Sequence, residues 1–376
     1  MEHYLDNAAT TKVCPEAAQA ALQAMEEVYG NPSSTHTKGR EAKKLLDASR
    51  KKVADALGCN PGELIFTSCG SESDNWAILK GAEAMKRRGK HVISSRVEHD
   101  AVRKSLDLLE AAGWEVTRLS PDATGAIPVS AVQEALRDDT VLVSLMTVNN
   151  ETGAVTDIPA ISRMLKKNGS QALLHTDAVQ AFLKVPFRAK TLGADMISIS
   201  GHKIHATKGI GALYVRTGVR LNPFLVGGSQ EDGRRAGTEA MPQIAAFAAA
   251  CAVALPHLED NIHRMKTLKQ RALELLHQEI PELTALETDA PHILSISLPG
   301  WRSEVLMNFL EAREVYVSKS SACKKGGRSH VLEAIGMRSE EIDGALRIGL
   351  SRFTTEEDIL ALVAGLREAR QTLAHR

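Results

Sequence analysis

A lysine directly after a short apolar run is the first residue whose position suggests chemistry. Residues 196–199 are apolar except for Ser198 and predict a short buried strand, which ends in the small polar corner Ser200-Gly201-His202, and Lys203 comes next. Burial disfavours the ammonium form of a lysine and lowers its pKa, and a neutral amine can attack an aldehyde. This arrangement suggests a covalent bond between Lys203 and the aldehyde carbon of pyridoxal 5'-phosphate.

A carboxylate is available at the end of a second apolar run. Asp177 follows residues 172–176, and Gln180 lies in the same corner. Pyridoxal phosphate requires a carboxylate facing its pyridine nitrogen, and ligands of α/β sheets bind at the carboxyl ends of the strands. We therefore expect Asp177 and Lys203 on neighbouring strand ends. From these residues alone, the alternative that Lys203 is a solvated loop lysine and Asp177 a helix cap stays open.

The elements that would position these residues alternate between strand and helix. The alternation runs from a predicted helix at residues 15–28 to a predicted strand at residues 209–215. Strands separated by helices of this length predict an α/β fold with a mostly parallel sheet that helices cover on both faces.

The pattern changes after about Met241. Helical sequence continues to about Glu279, with a break expected at Pro256, and a smaller α+β segment follows. The last helix is expected to open with a capping box formed by Thr354 and Glu357.

Length and this change of pattern indicate two domains, because 376 residues are too many for one small core. We predict a large cofactor-binding domain at residues 16–255. A small domain would combine residues 1–15 with residues 256–376.

Composition excludes several classes of function. The 46 basic and 46 acidic residues cancel, so nucleic acid is not an expected direct partner. The N-terminus lacks the apolar region of a signal peptide, and the longest apolar run, residues 244–255, is too short to span a bilayer. Five cysteines without paired or CxxC spacing fit free thiols in a reducing cytoplasm, and no metal site is expected.

Several stretches together resemble one known family. They are "YLDNAATT" from Tyr4, "HTDAVQ" ending at Gln180, "SGHKIHATKGIGALYV" ending at Val215 and "GLSRFTTEED" ending at Asp358. The chain resembles the class V aminotransferase-like enzymes, and more narrowly the cysteine desulfurases of the NifS/IscS type. The resemblance implies the fold type I of pyridoxal-phosphate enzymes, with a seven-stranded sheet, and a homodimer.

The phosphate of the cofactor is expected at a helix N-terminus. Residues 67–71 lie between a predicted strand and a predicted helix, where backbone amides point at an anion, although a plain N-cap at Ser71 is the alternative. The resemblance assigns the phosphate loop to Gly70 and Ser71. It adds Ser200 and His202 as donors, and Thr238 from the second subunit.

Three further cofactor residues are implied. His99 follows a predicted strand, where a histidine could stack on a ring and move protons, although such a residue is also common at surfaces and helix starts. The resemblance makes His99 the ring-stacking acid and base. It places Asn150 beside the cofactor and the substrate carboxylate, and Gln180 on the phenolic oxygen of the cofactor.

The substrate, L-cysteine, carries a carboxylate that the planar fork of an arginine fits. Arg347 and Arg352 are both candidates from their residue type, and either could instead form a surface ion pair. The resemblance decides for Arg347.

Cys323 lies in a polar, basic segment in which neighbouring cations favour the thiolate. Its composition alone indicates an exposed loop, whereas the resemblance makes it the catalytic cysteine that accepts sulfur. The chain departs from the family at Lys319, where glycine is usual, and in a shortened, more basic stretch after Cys323. It also departs at Cys69, a second thiol near the expected cofactor, and at residues 205–207, which replace an aromatic-glycine-proline run.

The implied reaction converts L-cysteine to L-alanine and leaves a persulfide on Cys323. The sulfur acceptor would be another protein, either an iron–sulfur scaffold or a thiolation enzyme. Two alternatives stay open. One is a selenocysteine lyase or another β-eliminating lyase, which shares the cofactor site, and the other is a catalytically silent paralogue that binds partners.

Overall fold

The computed structural model describes residues 2–320 and 328–374. Its strands form a large sheet, a small sheet and a two-stranded ribbon. In chain order they are β1 (His3–Tyr4), β2 (Leu64–Thr67), β3 (His91–Ser95), β4 (Glu115–Leu119), β5 (Thr140–Ser144), β6 (Leu173–Asp177), β7 (Met196–Ser200), β8 (Gly211–Val215), β9 (Thr284–Leu286), β10 (Ile293–Ser297), β11 (Val315–Tyr316), β12 (Ser318–Lys319) and β13 (Ala345–Gly349).

The large sheet has seven strands in the order β2-β8-β7-β6-β5-β3-β4, which confirms the predicted fold class. Strands β3 to β7 pair in parallel, and β8 alone runs antiparallel to both of its neighbours. The strand order reverses between β3 and β5, because the chain leaves β4 and returns on the other side of β3. Ligands of open α/β sheets bind outside the strand ends at such a reversal.

Helices cover the faces of the large sheet as predicted. Adjacent residues of a strand face opposite sides, so Val92 joins one core cluster and Ile93 the other. The helices that accompany this sheet are α1 (Pro15–Glu26), α2 (Thr37–Leu57), α3 (Gly70–Met85), α4 (Asp100–Ala111), α5 (Val129–Ala135), α6 (Ile158–Lys167), α7 (Ala189–Leu192) and α8 (Met241–Ala254).

One helical stretch of the described residues, Met241–Glu279, is long and apolar enough by length and composition to cross a membrane. It breaks at the expected proline, since a 3-10 turn at Leu255–His257 separates α8 from α9 (Leu258–Glu279). Most side chains of α8 are buried against α1 and α2. The apolar run is thus a core helix of the folded chain.

The small sheet is antiparallel, with the order β12-β13-β10-β9. Its own apolar core includes Leu294, Leu346 and Leu366 and is separate from the clusters around the large sheet. The helices around it are α9, α10 (Ser303–Glu311), α11 (His330–Ala334), α12 (Ser339–Asp343) and α13 (Glu356–Thr372).

The N-terminal strand β1 pairs with β11 in the parallel two-stranded ribbon. The first residues therefore pack beside the C-terminal part of the chain. The segment that follows β1 then enters the site described below.

The predicted capping box of α13 is wrong by one residue. Thr355, not Thr354, accepts a hydrogen bond from the amide of Asp358, whose carboxylate accepts one from the Thr355 amide at 2.8 Å. The hydroxyl oxygen of Thr354 accepts a bond from the Ser351 amide instead. The sequence offers two threonines, each with an acid three residues later, and the preceding turn selects between them.

Candidate active site

A cavity of about 350 Å³, here called the cofactor cavity, lies outside the carboxyl ends of the parallel strands. It receives side chains from the ends of β3, β5, β6 and β7, from α3 and from β13. The predicted site residues that line it are Gly70, Ser71, His99, Asn150, Asp177, Gln180, Ser200, His202, Lys203 and Arg347. Residues from distant parts of the chain thus share one site.

Lys203 ends the 3-10 turn Gly201–Lys203 that directly follows β7. Its Nζ donates hydrogen bonds to the backbone oxygens of Ala8 at 2.7 Å and Ala9 at 2.5 Å. The hydroxyl of Thr11 donates to the His202 carbonyl at 2.8 Å. The N-terminal segment after β1 therefore holds the lysine turn against the cavity.

Asp177 is the last residue of β6, next to β7, so the expected neighbouring strand ends are present. Its side chain is buried and accepts a hydrogen bond from the Val179 amide at 2.9 Å. Burial raises the pKa of Asp177, while His99, the Val179 amide and Lys203 act against that increase. A cationic pyridine N–H at this carboxyl would favour its anion, which fits the cofactor predicted from the sequence.

Two more buried acids, Asp74 and Glu98, line the same cavity and escaped the sequence analysis. Burial, with the nearby Asp177, raises the pKa of Asp74 well above its usual range. Burial also raises the pKa of Glu98 to about 8. Asp74 lies one helical turn after Gly70 and Glu98 directly precedes His99. For Glu98, the position directly before His99 is the signal that could have found it.

The buried acids of the site differ in which of them keeps its proton and which can ionise. Oδ1 of Asp74 and Oε2 of Glu98 have no hydrogen-bond partner among the described residues. Two close buried carboxyls cannot both ionise readily, so one of them keeps its proton. His99, the Val179 amide and Lys203 favour the anion of Asp177, whereas the charge of Asp177 raises the pKa of Asp74, so Asp177 is the carboxyl that can become an anion.

The N-terminus of α3, which lines the cofactor cavity, can hold a phosphate. Helix α3 begins at Gly70 with no side-chain cap from Cys69, and the first amides of a helix have no intrahelical partner. The N-cap is therefore not at Ser71. A Cβ on Gly70 would come within 2.7 Å of the Val179 side chain, so only glycine allows this close approach.

Ser200 and His202 are the other two residues of this chain predicted to donate hydrogen bonds to the phosphate. The Ser200 hydroxyl is buried without a hydrogen-bond partner among the described residues, as expected for a group that binds a ligand. Burial, followed by the charge of Lys203, lowers the pKa of His202 to about 3. His202 is thus neutral and can donate one hydrogen bond. Together with Lys203 and Asp177, these groups fit pyridoxal 5'-phosphate.

His99 and Asn150 flank the reversal of strand order, after β3 and β5. Nδ1 of His99 accepts a hydrogen bond from the Ala101 amide at 3.1 Å, so the ring proton of neutral His99 lies on Nε2. Asn149, the adjacent amide, accepts bonds from the Glu151 and Thr152 amides and forms the turn. The two asparagines therefore have different tasks, and Asn150 is the one that reaches the cavity.

Gln180 lies in a buried hydrogen-bonding group. Its Nε2 donates to the Ala8 carbonyl at 2.8 Å, and its Oε1 lies 3.3 Å from both Lys184 Nζ and His292 Nε2. The amide nitrogen carries a second hydrogen, which leaves one donor for the phenolic oxygen. Lys184 is a further buried residue that the sequence analysis missed.

Arg347, on β13, is only 2% exposed. Its Nη1 donates to the Asn150 carbonyl at 2.9 Å, and its Nη2 contacts Ser318 Oγ at 2.8 Å and Asp6 Oδ1 at 3.2 Å. Its Nε has no partner among the described residues, so one donor of a permanently charged group remains for a ligand carboxylate. The rival, Arg352, does not line the cofactor cavity.

Thr238 is exposed and does not line the cofactor cavity of its own chain. Its loop is attached to the first turn of α3 by Arg235, which forms a two-bond ion pair with Glu72 at 2.8 and 3.0 Å. The sequence analysis assigned Thr238 to the site of a second subunit, which one chain does not test.

Cys323 lies outside the described residues. The residues on either side do reach the site, because Arg328 and His330 line the cofactor cavity and Ser318 contacts Arg347. Lys319, which stands where the family usually has glycine, pairs with Glu304 at 2.9 Å and lines a different cavity.

The four described cysteines differ in environment. Cys14 and Cys251 are buried, and burial raises the pKa of both thiols. Burial also raises the pKa of Cys59 to about 12. Cys69 is the described thiol that lines the cofactor cavity.

Comparisons with known proteins agree with this geometry. Residues 3–362 match the family Aminotransferase class-V. A cysteine desulfurase IscS of Methanosarcina thermophila is 42% identical over 360 residues, covering 95% of this chain and 89% of that protein. A cysteine desulfurase of Trichormus azollae is 42% identical over 361 residues, covering 95% and 90%.

Solved structures give the same relationship. A NifS-like protein superposes with a TM-score of 0.94 and 34% sequence identity, covering 99% of this chain and all of the other. A protein described as SspA in complex with cysteine has a TM-score of 0.81 and 31% identity, covering 94% of this chain and all of the other.

Proposed function

The chain belongs to the class-V aminotransferase family and, within it, to the cysteine desulfurases, and we propose that it converts L-cysteine to L-alanine with pyridoxal 5'-phosphate and collects the sulfur on Cys323. The observation that carries the proposal is the shared cavity in which Lys203, Asp177 and Arg347 meet. These residues supply an amine for the cofactor aldehyde, a carboxylate for its ring nitrogen and a cation for the substrate.

When bound, pyridoxal phosphate withdraws electrons from the Cα of the amino acid joined to it. The residues of the chain hold and move protons around that carbon. We assign removal of the α-proton to Nζ of Lys203, the amine that would hold the cofactor. Asp177 as an anion would keep the ring nitrogen protonated, and Asp74 would help by keeping its own proton. His99 would bind the ring, with its Nε2 proton available for transfer.

Arg347 and Asn150 orient the substrate. The unpartnered Nε of Arg347 presents a donor to the substrate carboxylate, and the bond from Nη1 to the Asn150 carbonyl fixes the orientation of the guanidinium. Asp6 shares Nη2 in the absence of substrate and limits rotation of the guanidinium.

The sulfur transfer is assigned to Cys323. Its thiolate attacks the substrate sulfur, a new S–S bond forms and the Cβ–S bond of the substrate breaks, with the electron pair left on Cβ. A proton then reaches Cβ, so that L-cysteine and the Cys323 thiol become L-alanine and a persulfide. The position of Arg328, Ser318 and His330 at the cavity supports the assignment, since both flanks of the Cys323 segment reach the substrate region.

We propose that two chains form a homodimer in which Thr238 of each completes the phosphate site of the other. The exposure of Thr238, and of the apolar residues Met25, Tyr29 and Val226, supports this proposal. A molar mass of one chain for the fully active enzyme, measured by light scattering at the assay concentration, would refute it.

The proposal extends to the domains, the acceptor and the compartment. Residues 16–255 form the cofactor-binding domain, and residues 1–15 with 256–376 form the domain that carries Cys323.

Sulfur passes from Cys323 to a protein acceptor, either an iron–sulfur scaffold or a thiolation enzyme, in the cytoplasm. Trapping the persulfidated acceptor by mass spectrometry identifies it, and the absence of any labelled acceptor while alanine is formed would argue against transfer to a protein.

The experiment that tests the function compares Lys203→Ala with Lys208→Ala, since Lys208 is an exposed lysine nearby. With pyridoxal phosphate and L-cysteine, wild type and Lys208→Ala should form alanine, while Lys203→Ala should form none and lose the visible absorbance of bound cofactor. Normal alanine formation by Lys203→Ala would contradict the proposal. A parallel assay with L-selenocysteine separates a desulfurase from a selenocysteine lyase.

A further inference from the structure

A second, much smaller cavity of about 30 Å³ lies behind Lys203 and is here called the rear cavity. It is formed where the segments after β6, β7 and β13 meet the end of α8 and the first turns of α9. Its lining residues are Thr11, Leu183, Lys184, Lys203, Ile204, His205, Ala254, Asn261, Met265, Leu350, Ser351 and Arg352. They include two lysines, one arginine and one histidine, and no carboxylate.

Arg352 is half-buried, and its guanidinium lies over the ring of Phe353, 4.9 Å from the ring centroid. Its Nε and Nη2 are buried and have no hydrogen-bond partner among the described residues. A guanidinium stays charged in proteins, so Arg352 cannot lower the cost of burial by losing a proton. Buried charges are normally paired or bound to an ion. An anion from outside the chain would meet this demand.

Lys184 is a second cationic residue that lines the rear cavity. It is 7% exposed, and its Nζ lies 3.3 Å from Gln180 Oε1. Burial, followed by the charges of Lys203 and Arg347, lowers the pKa of Lys184 well below its usual range. An anion in the rear cavity would oppose that decrease and allow Lys184 to keep its proton.

His205 belongs to the run that departs from the family pattern. Its side chain is buried, its Nδ1 lies 2.8 Å from the Lys12 carbonyl, and its ring packs edge-on against Phe353. Nδ1 must donate to that carbonyl, so the ring can be neutral and still satisfied. His205 therefore supplies polar lining without adding a negative charge.

We propose that the rear cavity binds one small inorganic monovalent anion of halide size, held by Arg352 with Lys184. A cavity needs about 10–15 Å³ to hold a single water, so the rear cavity, at about 30 Å³, has room for one halide ion. The unpartnered guanidinium nitrogens and the absence of a lining carboxylate favour an anion over water. The inference does not depend on the proposed reaction, because it concerns binding alone.

The test measures the stability of the holoenzyme while bromide replaces gluconate at constant ionic strength and pH. Gluconate serves as the reference because it is an organic anion far larger than bromide. Binding to the folded state should stabilise wild type in a saturable way, and raising bromide from one to ten times its dissociation constant should increase the folded-to-unfolded ratio about fivefold. Arg352→Gln should lose this response. Lys208→Gln, which removes an exposed cation nearby, should keep it.

A bromide anomalous signal in crystals of the wild-type holoenzyme gives an independent reading that needs no variant. The proposal predicts a peak beside Arg352 Nε and Nη2. An empty or water-filled cavity, or equal responses to bromide in wild type and a folded Arg352→Gln, would overturn it. Neither result would affect the assignment of Lys203, which alanine formation tests separately.

Discussion

Lys203 lines two cavities that differ in their buried titratable groups. The cofactor cavity in front of it contains the buried acids Asp74, Glu98 and Asp177, whereas the rear cavity has no carboxylate among its lining residues. Burial favours the neutral form of both kinds of group, so it raises the pKa of the acids and lowers that of Lys184. One buried region can thus hold protons on carboxyls while an adjacent one removes a proton from an amine.

The difference teaches how the chain prepares a lysine for chemistry. The Lys203 amine lies between the cofactor cavity, where Asp177 can stabilise a cationic ligand, and the rear cavity, which is lined by cations without a carboxylate. A pyridinium would be stabilised by Asp177, whereas a further cation in the rear cavity would be repelled. The difference between the two cavities beside Lys203 therefore depends on which buried side chains the strand ends contribute to each of them.

The largest expected effect comes from neutralising the cofactor cavity at Asp177. Asp177→Asn keeps the size of the side chain but removes the anion that holds the ring proton, so kcat should fall at least about a hundredfold, as when a preorganised charge is lost. The measurement is alanine formation at saturating pyridoxal phosphate, with cofactor occupancy determined in parallel.

Asp74→Asn is the matched control, since Asp74 already keeps its proton in our account. Its kcat should fall much less than that of Asp177→Asn. Equal losses in the two variants would show that the acids share the charge and that the division of roles is wrong.

The next effect concerns the cation at the edge of the cofactor cavity. Arg347→Gln removes the charged donors for the substrate carboxylate, bonds that contribute about 1.5–3 kcal/mol, so KM for L-cysteine should rise roughly ten- to a hundredfold. Arg313→Gln, which breaks an ion pair with Glu368 on the surface, is the control and should leave KM unchanged. An unchanged KM in Arg347→Gln would mean that another residue binds the carboxylate.

The smallest expected effect is on the pH dependence of stability. Between its ordinary pKa of 4.5 and its raised pKa of about 8, Glu98 is protonated in the folded chain and ionised in the unfolded chain. Its contribution is therefore fully present below pH 4.5 and is lost as pH rises to about 8, at up to about 1.4 kcal/mol per pH unit. Lys184 acts in the opposite sense, because its lowered pKa makes stability increase with pH towards its ordinary pKa of 10.5.

Glu98→Gln should reduce the loss of stability between pH 5 and 8 in urea unfolding, since glutamine does not titrate. Asp74 and Glu151 retain raised pKa values and should keep part of the slope. An unchanged slope in the variant would show that Glu98 is ionised in the folded chain.

Much of the fold follows from local sequence pattern. The predicted alternation of strands and helices and the predicted break at Pro256 are both present, because periodicity and flanking turns mark them in the sequence. Ser318–Lys319 could not be foreseen as a strand of its own. It exists because it pairs with β13, and pairing between distant segments is not written in a local pattern.

The site was predictable where chemistry depends on residue type next to a strand end, as with Lys203, Asp177 and His99. Asp74 and Lys184 were not, because an acid in a helix and a lysine after a turn look like surface residues in one sequence. Only the packing of α3 against the sheet, and of the segment after β6 into the core of the large sheet, buries them.

The most direct test of the account is a single turnover with L-cysteine followed by mass spectrometry of the cysteine-containing peptides. Wild type should carry one added sulfur atom on Cys323 for each alanine formed. Cys323→Ser should still bind cofactor and substrate, because Lys203 and Arg347 are intact, but should carry no added sulfur. Sulfur on Cys69, the described thiol that lines the cofactor cavity, or undiminished sulfur release from Cys323→Ser, would contradict the account.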